Sequence, residues 1–193
     1  MPEDADYIHM ELYQDREART LTKAYEDGFD FFMKYESHPT YLRLDNEKSV
    51  IFETMCARRN VKLQPVPLGQ HRTGKAERCI RTGRGHYISA LYGSHPDFPT
   101  NEWDRIKDQV EITLNLMRPS RRNPPISAYE SLRGKFIWNH TPLGPPGASV
   151  MILNRVNGVN IRPKWDPHGQ LRFYVGPAVD HRGCFEVLVK NKK

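Results

Sequence analysis

The sequence has few cysteines and no long apolar run. Its 193 residues include 3 cysteines, Cys56, Cys79 and Cys184, and none of them forms a Cys-x-x-Cys pair. This argues against a disulfide scaffold and against a cysteine-rich zinc module. No apolar run approaches the roughly 18 residues of a membrane helix, and the acidic start, Met1–Asp4, is unlike a secretory or transit peptide. We therefore expect an intracellular protein in a reducing compartment, with no membrane partner.

Basic residues outnumber acidic ones, but the charge is unevenly distributed. The chain has 29 Lys and Arg against 23 Asp and Glu, for a net charge of +6. Residues 1–50 carry 12 acids and 6 bases, whereas the band from Arg58 to Arg84 carries eight bases and a single acid, Glu77. Such a band suits a polyanion, because each neutralised phosphate releases counterions. The alternative is a solvated basic surface without a partner.

The spacing of apolar residues predicts an α/β region followed by short strands. Residues 7–13 alternate and are predicted as a strand, while helical spacing predicts a helix over 16–36. The same reasoning predicts strands at 40–44, 61–66, 148–153, 171–175 and 184–189, and helices at 47–59, from 75 towards 91, and at 101–117. Nine of the 15 prolines lie between Pro119 and Pro177. This order indicates an α/β segment, a Pro-rich linker and a small all-β barrel.

Two carboxylates occupy positions suited to binding a metal ion. Asp45 follows the predicted strand 40–44, and Glu77 lies at the start of the helix that begins near residue 75. Mg²⁺ prefers oxygen ligands of this kind, and two such ions can stabilise both oxygens of an in-line phosphoryl displacement. The alternative is structural: Asp45 caps the next helix, and Glu77 pairs with Arg81 four residues on.

The segments around these carboxylates resemble a known family. Leu42–Glu47 (LRLDNE) and Gln70–Arg78 (QHRTGKAER) resemble the integrase of copia-type long-terminal-repeat retrotransposons. In that family a strand ending in Asp-Asn precedes a helix that carries the last catalytic carboxylate, and here 31 residues separate the two acids. Downstream, Glu111–Ser120 and Ser127–Gly134 also look like integrase segments, and 148–189 looks like the barrel behind the core. The resemblance covers nearly the whole chain.

The resemblance implies a fold, a reaction and a set of site residues. It implies a ribonuclease H-like core, a mixed sheet with flanking helices, at 1–118, a Pro-rich linker at 119–146 and an SH3-like β-barrel at 147–193. Such integrases trim the ends of element DNA and join them to target DNA with Mg²⁺ or Mn²⁺. By position, Asp45 is the second metal-binding carboxylate and Glu77 the third. The expected DNA-binding residues are Arg72, Lys75, Arg78, Arg81 and Arg84. Integrases work as multimers, so DNA, a second copy of the chain and a nuclear location are the expected context.

The sequence also departs from the family pattern. The first catalytic Asp belongs to a strand well before the second, but only 44 residues precede Asp45, and Asp4 and Asp6 fall at the wrong place. Gly83 and Gly85 stand where the family has a continuous helix. We therefore expect an N-terminally truncated, inactive, integrase-derived protein that binds DNA. An active polynucleotidyl transferase and a protein-interaction module are the alternatives.

Overall fold

The chain is a mixed α/β protein with small sheets, as the sequence predicts. The computed structural model describes residues 5–44, 49–65, 75–153, 155–156, 159–160, 165, 167–178, 181 and 183–188. The chain divides into two compact units: 1–85 with 111–136, and 86–110 with 137–193. Among the described residues, no helix has the length and apolar character that a bilayer-spanning helix requires.

The helices and strands follow the predicted order closely. The helices are α1 (Ala18–Lys34), α2 (Val50–Arg58), α3 (Lys75–Tyr92), α4 (Lys107–Met117) and α5 (Ala128–Arg133), with a 3₁₀ helix at Thr100–Ile106 before α4. The strands are β1 (Tyr41–Leu44), β2 (Lys62–Pro65), β3 (Ser149–Leu153), β4 (Arg155–Val156), β5 (Val159–Asn160), β6 (Gly169–Pro177) and β7 (Phe185–Leu188). Over the described residues, these elements confirm the predicted helices at 16–36 and 47–59 and the predicted strands at 40–44 and 61–66 within a few residues at each end. Residues 47, 48 and 66 lie outside the described residues.

In the first unit, β1 and β2 pair in parallel and α2 connects them. The register runs from Tyr41 opposite Lys62 to Leu44 opposite Pro65, and β2 ends at Pro65, which has no N–H to continue a ladder. The Ser49 hydroxyl oxygen accepts a hydrogen bond of 3.2 Å from the Phe52 N–H and so caps α2. The core beneath them is apolar and consists of Phe29, Phe52, Met55, Cys56 and Val61.

The predicted strand at 7–13 is wrong. These residues form no strand in the described part of the chain, because side chains of α4 take the place of a neighbouring strand. The Ile8 N–H donates to Asn115 Oδ1 at 2.8 Å, and Asn115 Nδ2 donates to the Ile8 carbonyl oxygen at 2.8 Å. The Met10 N–H donates to Glu111 Oε2 at 2.9 Å. Sequence alternation indicates an extended segment correctly, but it carries no information about the partner.

Helix α3 runs without a break through Gly83 and Gly85, the two positions at which the sequence departs from the family's helix. Gly83 is buried, and a Cβ there would lie 3.2 Å from Met10 Cε and 4.0 Å from Ile8 Cγ2. A Cβ at Gly85 would meet nothing within 4 Å. The absence of a side chain at Gly83 therefore lets the N-terminal residues pack against the helix, which gives this glycine a structural purpose.

The stretch predicted as a Pro-rich linker contains a helix. The Ser127 hydroxyl oxygen accepts from the Glu130 N–H at 3.1 Å, and Glu130 Oε2 accepts from the Ser127 N–H at 3.3 Å. This reciprocal pair is a capping box, and it begins α5. The pattern Ser-x-x-Glu was visible in the sequence. The domain limits at 118 and 146 remain predictions.

The second unit is built on an antiparallel sheet in the order β3-β6-β7, with β4 and β5 pairing separately. These strands confirm the predictions at 148–153, 171–175 and 184–189. The middle strand, β6, buries Phe173, Tyr174 and Val175. The ring of Phe173 contacts Phe98 edge to face, at 5.7 Å between centroids. Gly147 has a φ of +72°, and a Cβ there would overlap Ser94 Cβ.

Candidate nucleic-acid interface and a buried polar cluster

The structure places Glu77 but not its predicted metal-binding partner. Asp45 and Arg72 lie outside the described residues. Glu77 lies in the first turn of α3 with 51% of its side chain exposed, and its Oε1 is 3.5 Å from Arg81 Nη2. This is the i,i+4 ion pair that the structural alternative predicted. The roles of Asp45 and Glu77 as metal ligands remain predictions. Within the described ranges, no three His, Cys, Asp or Glu side chains gather into a metal-binding group.

Three predicted DNA-binding residues share one exposed face of α3. Arg78, Arg81 and Arg84 are all exposed. At 3.6 residues per turn, each three-residue step turns about 60° back around the axis, so the three arginines span a sector of about 120°. The middle of that sector lies nearly opposite the buried Gly83. Lys75, the remaining predicted residue, begins the helix and is half-buried.

The rest of the basic band is partly neutralised by α1. Arg58 pairs with Glu26, and Arg59 Nη1 and Nη2 lie 2.5 and 3.3 Å from the two carboxylate oxygens of Asp30. The hydrogen bond from Arg59 lowers the pKa of Asp30. The band that is continuous in sequence therefore divides in space. Arg58 and Arg59, at the end of α2, form ion pairs with acids of α1. The arginines of α3 face solvent.

The two ends of the arginine row on α3 differ from its middle. Arg81 shares its charge with Glu77, whereas Arg78 and Arg84 have no acidic partner at ion-pair distance in the part of the chain that the structure describes. A cation on a helix surface without a neighbouring carboxylate attracts phosphate most effectively, since no internal ion pair has to be broken first. Arg78 and Arg84 are therefore the strongest candidates for phosphate contacts.

A buried polar cluster that the sequence reasoning missed lies in the first unit. We define it as Tyr7, His9, Glu111 and Asn115. The Tyr7 hydroxyl donates to Glu111 Oε1 at 2.9 Å, and His9 Nδ1 lies 3.0 and 3.1 Å from the two Glu111 carboxylate oxygens. The His9 ring stacks on Phe31, with 3.8 Å between centroids and 9° between planes. The cluster anchors the N-terminal segment to α4.

Burial and the Glu111 carboxylate shape the titration of this cluster. Burial, together with the adjacent charge of Glu111, raises the pKa of the Tyr7 phenol, which keeps it a hydrogen-bond donor. Burial alone would lower the pKa of His9, but its hydrogen bonds to Glu11 and Glu111 outweigh that effect and raise it. The signal available in the sequence was the pair Glu111 and Asn115, which are polar, four residues apart and set in an apolar helix.

Asp6, one of the two N-terminal acids weighed as a catalytic residue, also has a structural partner. Its carboxylate forms an ion pair with the Arg118 guanidinium, which also donates to the Asp6 carbonyl oxygen at 3.3 Å. Asp6 therefore helps to fix the chain entering the buried polar cluster. Asp4 lies outside the described residues.

Comparisons with known proteins yield a distant structural neighbour but no family. No protein-family model matches the chain, and no curated protein matches it. One chain of the cryo-EM structure of the simian T-cell lymphotropic virus intasome in complex with the PP2A regulatory subunit B56 gamma is similar, with a TM-score of 0.40 and 11% identity. The match covers 92% of this chain and 66% of that chain, which is just under two thirds of its length. Values this low do not establish a shared fold.

Proposed function

We propose that this chain is a retrotransposon integrase-derived protein that binds DNA through the exposed arginines of α3 and does not join DNA strands. The observation that carries the proposal is the solvent-facing placement of Arg78 and Arg84, without an acidic partner at ion-pair distance among the described residues. The motif resemblance around Asp45 and Glu77 supports the integrase origin. The proposal includes a ribonuclease H-like core, an SH3-like barrel, a nuclear location and self-association.

The fold part of the proposal has its own support. The parallel pair β1 and β2, joined by α2, is the connection that a mixed sheet with flanking helices uses. The antiparallel order β3-β6-β7 is compatible with part of a small barrel. These elements occur in the order that the integrase resemblance implies.

The lack of catalysis is inferred from the surroundings of Glu77. A divalent ion at this carboxylate competes with the Arg81 guanidinium and with water at a half-exposed site. We therefore expect weak or absent binding of Mg²⁺ and Mn²⁺. What remains is the sequence-independent attraction between arginine and phosphate, which needs no metal.

The salt dependence of binding to duplex DNA tests the proposal. The double variant Arg78→Gln/Arg84→Gln is compared with Arg16→Gln/Arg19→Gln, which removes the same charge from exposed positions just before α1 and in its first turn. The slope of log K against log salt is about −0.9 for each phosphate contact. We expect the slope of the α3 variant to become less steep by the equivalent of about two phosphate contacts. The slope of the α1 variant should equal that of the wild type. Equal slopes for the two variants, or no salt dependence in the wild type, would refute DNA binding through α3.

Strand-transfer assays separate this proposal from the active-enzyme alternative. We expect no joining of DNA ends by the chain with either Mg²⁺ or Mn²⁺. Mg²⁺-dependent joining that disappears in Glu77→Gln and persists in Arg19→Gln would establish the alternative, a metal-dependent polynucleotidyl transferase. Binding of DNA without joining supports the proposal.

One observation favours a protein-interaction module as a second candidate. Met151 and Leu171 lie opposite each other on β3 and β6, and their side chains are 67% and 56% exposed. Exposed apolar pairs on a sheet are typical of contact surfaces. Partner capture that survives charge reversal at Arg78 and Arg81 but is lost in Met151→Ser/Leu171→Ser would support this candidate over DNA binding.

A further inference from the structure

The two ring nitrogens of His9 both face carboxylates. Nδ1 is 3.0 Å from Glu111 Oε1, and Nε2 is 2.6 Å from Glu11 Oε1. A neutral imidazole has one N–H and one bare acceptor nitrogen. It can therefore donate to only one of these carboxylates, while its lone pair faces the other. With both carboxylates ionised, only the doubly protonated ring satisfies both contacts at once.

The other groups packed around His9 do not supply the positive charge that the two carboxylates receive from the protonated ring. From α1, the rings of Phe31 and Phe32 enclose the imidazole, with centroid distances of 3.8 and 5.9 Å, and only 9% of the His9 side chain is exposed. The charged and titratable groups that face the ring or its immediate neighbours are Glu11 and Tyr7 on its own segment, Glu111 on α4, and Arg133 on α5 through Tyr7.

The segment that carries His9 touches several helices of the first unit. Residues 5–11, which we call the N-terminal segment, pack Tyr7 against Phe32 of α1 at 6.5 Å between ring centroids. Asn115 and Glu111 of α4 bind its backbone, and Met10 lies beside Gly83 of α3. A change in the charge of His9 therefore acts on a contact that joins α1, α3 and α4.

We propose that protonation of His9 strengthens the attachment of the N-terminal segment to α4: the imidazolium donates to Glu111 of α4 and to Glu11 of its own segment, and loss of the proton weakens that attachment. The proton leaves from either ring nitrogen to solvent, and the bare nitrogen then faces a carboxylate oxygen. Weaker attachment makes the surface of α3 around Gly83 more accessible, on the side away from the arginine row. This inference does not depend on DNA binding.

The direction of the pH dependence follows from the net effect on His9. Burial disfavours the charged ring, but the hydrogen bonds to Glu11 and Glu111 prevail, so its folded pKa is raised above the ordinary value. The stabilisation is therefore fully present below the unfolded pKa of about 6.5 and is lost as pH rises through the higher folded value. The attachment should weaken as the pH rises above about 6.5.

Two measurements on the intact chain test the proposal directly. An NMR titration of the His9 ring should give a midpoint above about 6.5, with both ring nitrogens protonated below it. Amide exchange at Ile8 and Met10, corrected for the intrinsic rate, should lose protection by up to about tenfold per pH unit across that window. The Phe52 amide, which is bonded to Ser49 in α2, should not follow the same transition.

Variants supply the controls. Glu11→Gln removes one of the two carboxylates from a partly exposed position, and it should lower the His9 midpoint and move the loss of Ile8 protection to lower pH. His38→Gln removes an exposed histidine near the end of α1 and should leave both unchanged. A His9 midpoint at or below about 6.5 in the wild type, or Ile8 and Met10 protection that is independent of pH, would overturn the proposal.

Discussion

Replacing Asn115 with leucine should destabilise the first unit strongly, because its side-chain amide acts as the neighbour of an extended chain. Asn115 is fully buried, with 0% exposure. It accepts from the Ile8 N–H at 2.8 Å and donates to the Ile8 carbonyl oxygen at 2.8 Å and to the Glu111 carbonyl oxygen at 2.9 Å. Leucine fills a similar volume but offers neither a donor nor an acceptor.

The cost follows from the two backbone groups that lose this partner. Ile8 is itself buried, at 7% exposure, and each buried backbone group left without a hydrogen bond costs about 1–3 kcal/mol. Asn115→Leu should therefore lower the free energy of unfolding by about 2–6 kcal/mol. The lower end applies if the N-terminal segment detaches and Ile8 regains water, since the loss is then limited to the packing of that segment.

Urea denaturation followed by circular dichroism measures this change. The matched control is Asn139→Leu at an exposed position, where we expect a change within about 0.5 kcal/mol. Amide exchange at Ile8 should rise in Asn115→Leu alone. A loss below about 1 kcal/mol with Ile8 still protected would refute the reasoning, because it would mean that Ile8 does not depend on the Asn115 amide.

Two pairs of glycine substitutions test packing and backbone geometry by urea denaturation. Gly85→Ala should stabilise the chain by about 1 kcal/mol through helix propensity, while Gly83→Ala should gain less because its Cβ presses on Met10 Cε at 3.2 Å; equal gains would contradict the packing at Gly83. Gly183→Ala, at φ +71° with nothing within 4 Å, should cost about 1–2 kcal/mol. Gly147→Ala, at a similar φ, should cost clearly more because of its overlap with Ser94, and equal losses would contradict that overlap.

The regular elements were largely predictable from local patterns. Apolar residues at helical spacing located α1 and α4, and a short apolar run located β3, because these signals arise within the element itself. The prediction was less accurate at the start of one helix. The chain predicted as a helix at 101–117 is 3₁₀-helical up to Ile106 and α-helical only from Lys107. Helix α5 was missed although Ser127 and Glu130 carry a capping-box pattern, because the density of prolines suggested a linker.

The non-local features were not predictable in the same way. Alternation at 7–13 gave the extended shape, but the binding partners are side chains about a hundred residues away. The basic band was visible in sequence, yet its division could not be seen, because Arg58 and Arg59 find their acids on α1. For the predicted catalytic pair, the structure bears only on Glu77. Asp45 and Arg72 lie outside the described residues, so their roles remain predictions.

The contact between Asn115 and Ile8 also has a consequence for how the chain is made. The two residues are 107 positions apart in the sequence. A ribosome that adds about 5–20 residues per second needs roughly 5–20 s to proceed from one to the other. During that interval Tyr7 and Ile8 have been synthesised but lack the α4 side chains that later bind them. The growing chain therefore carries Tyr7 and Ile8 without their binding partners until α4 appears, which gives chaperones a defined period in which to bind this segment.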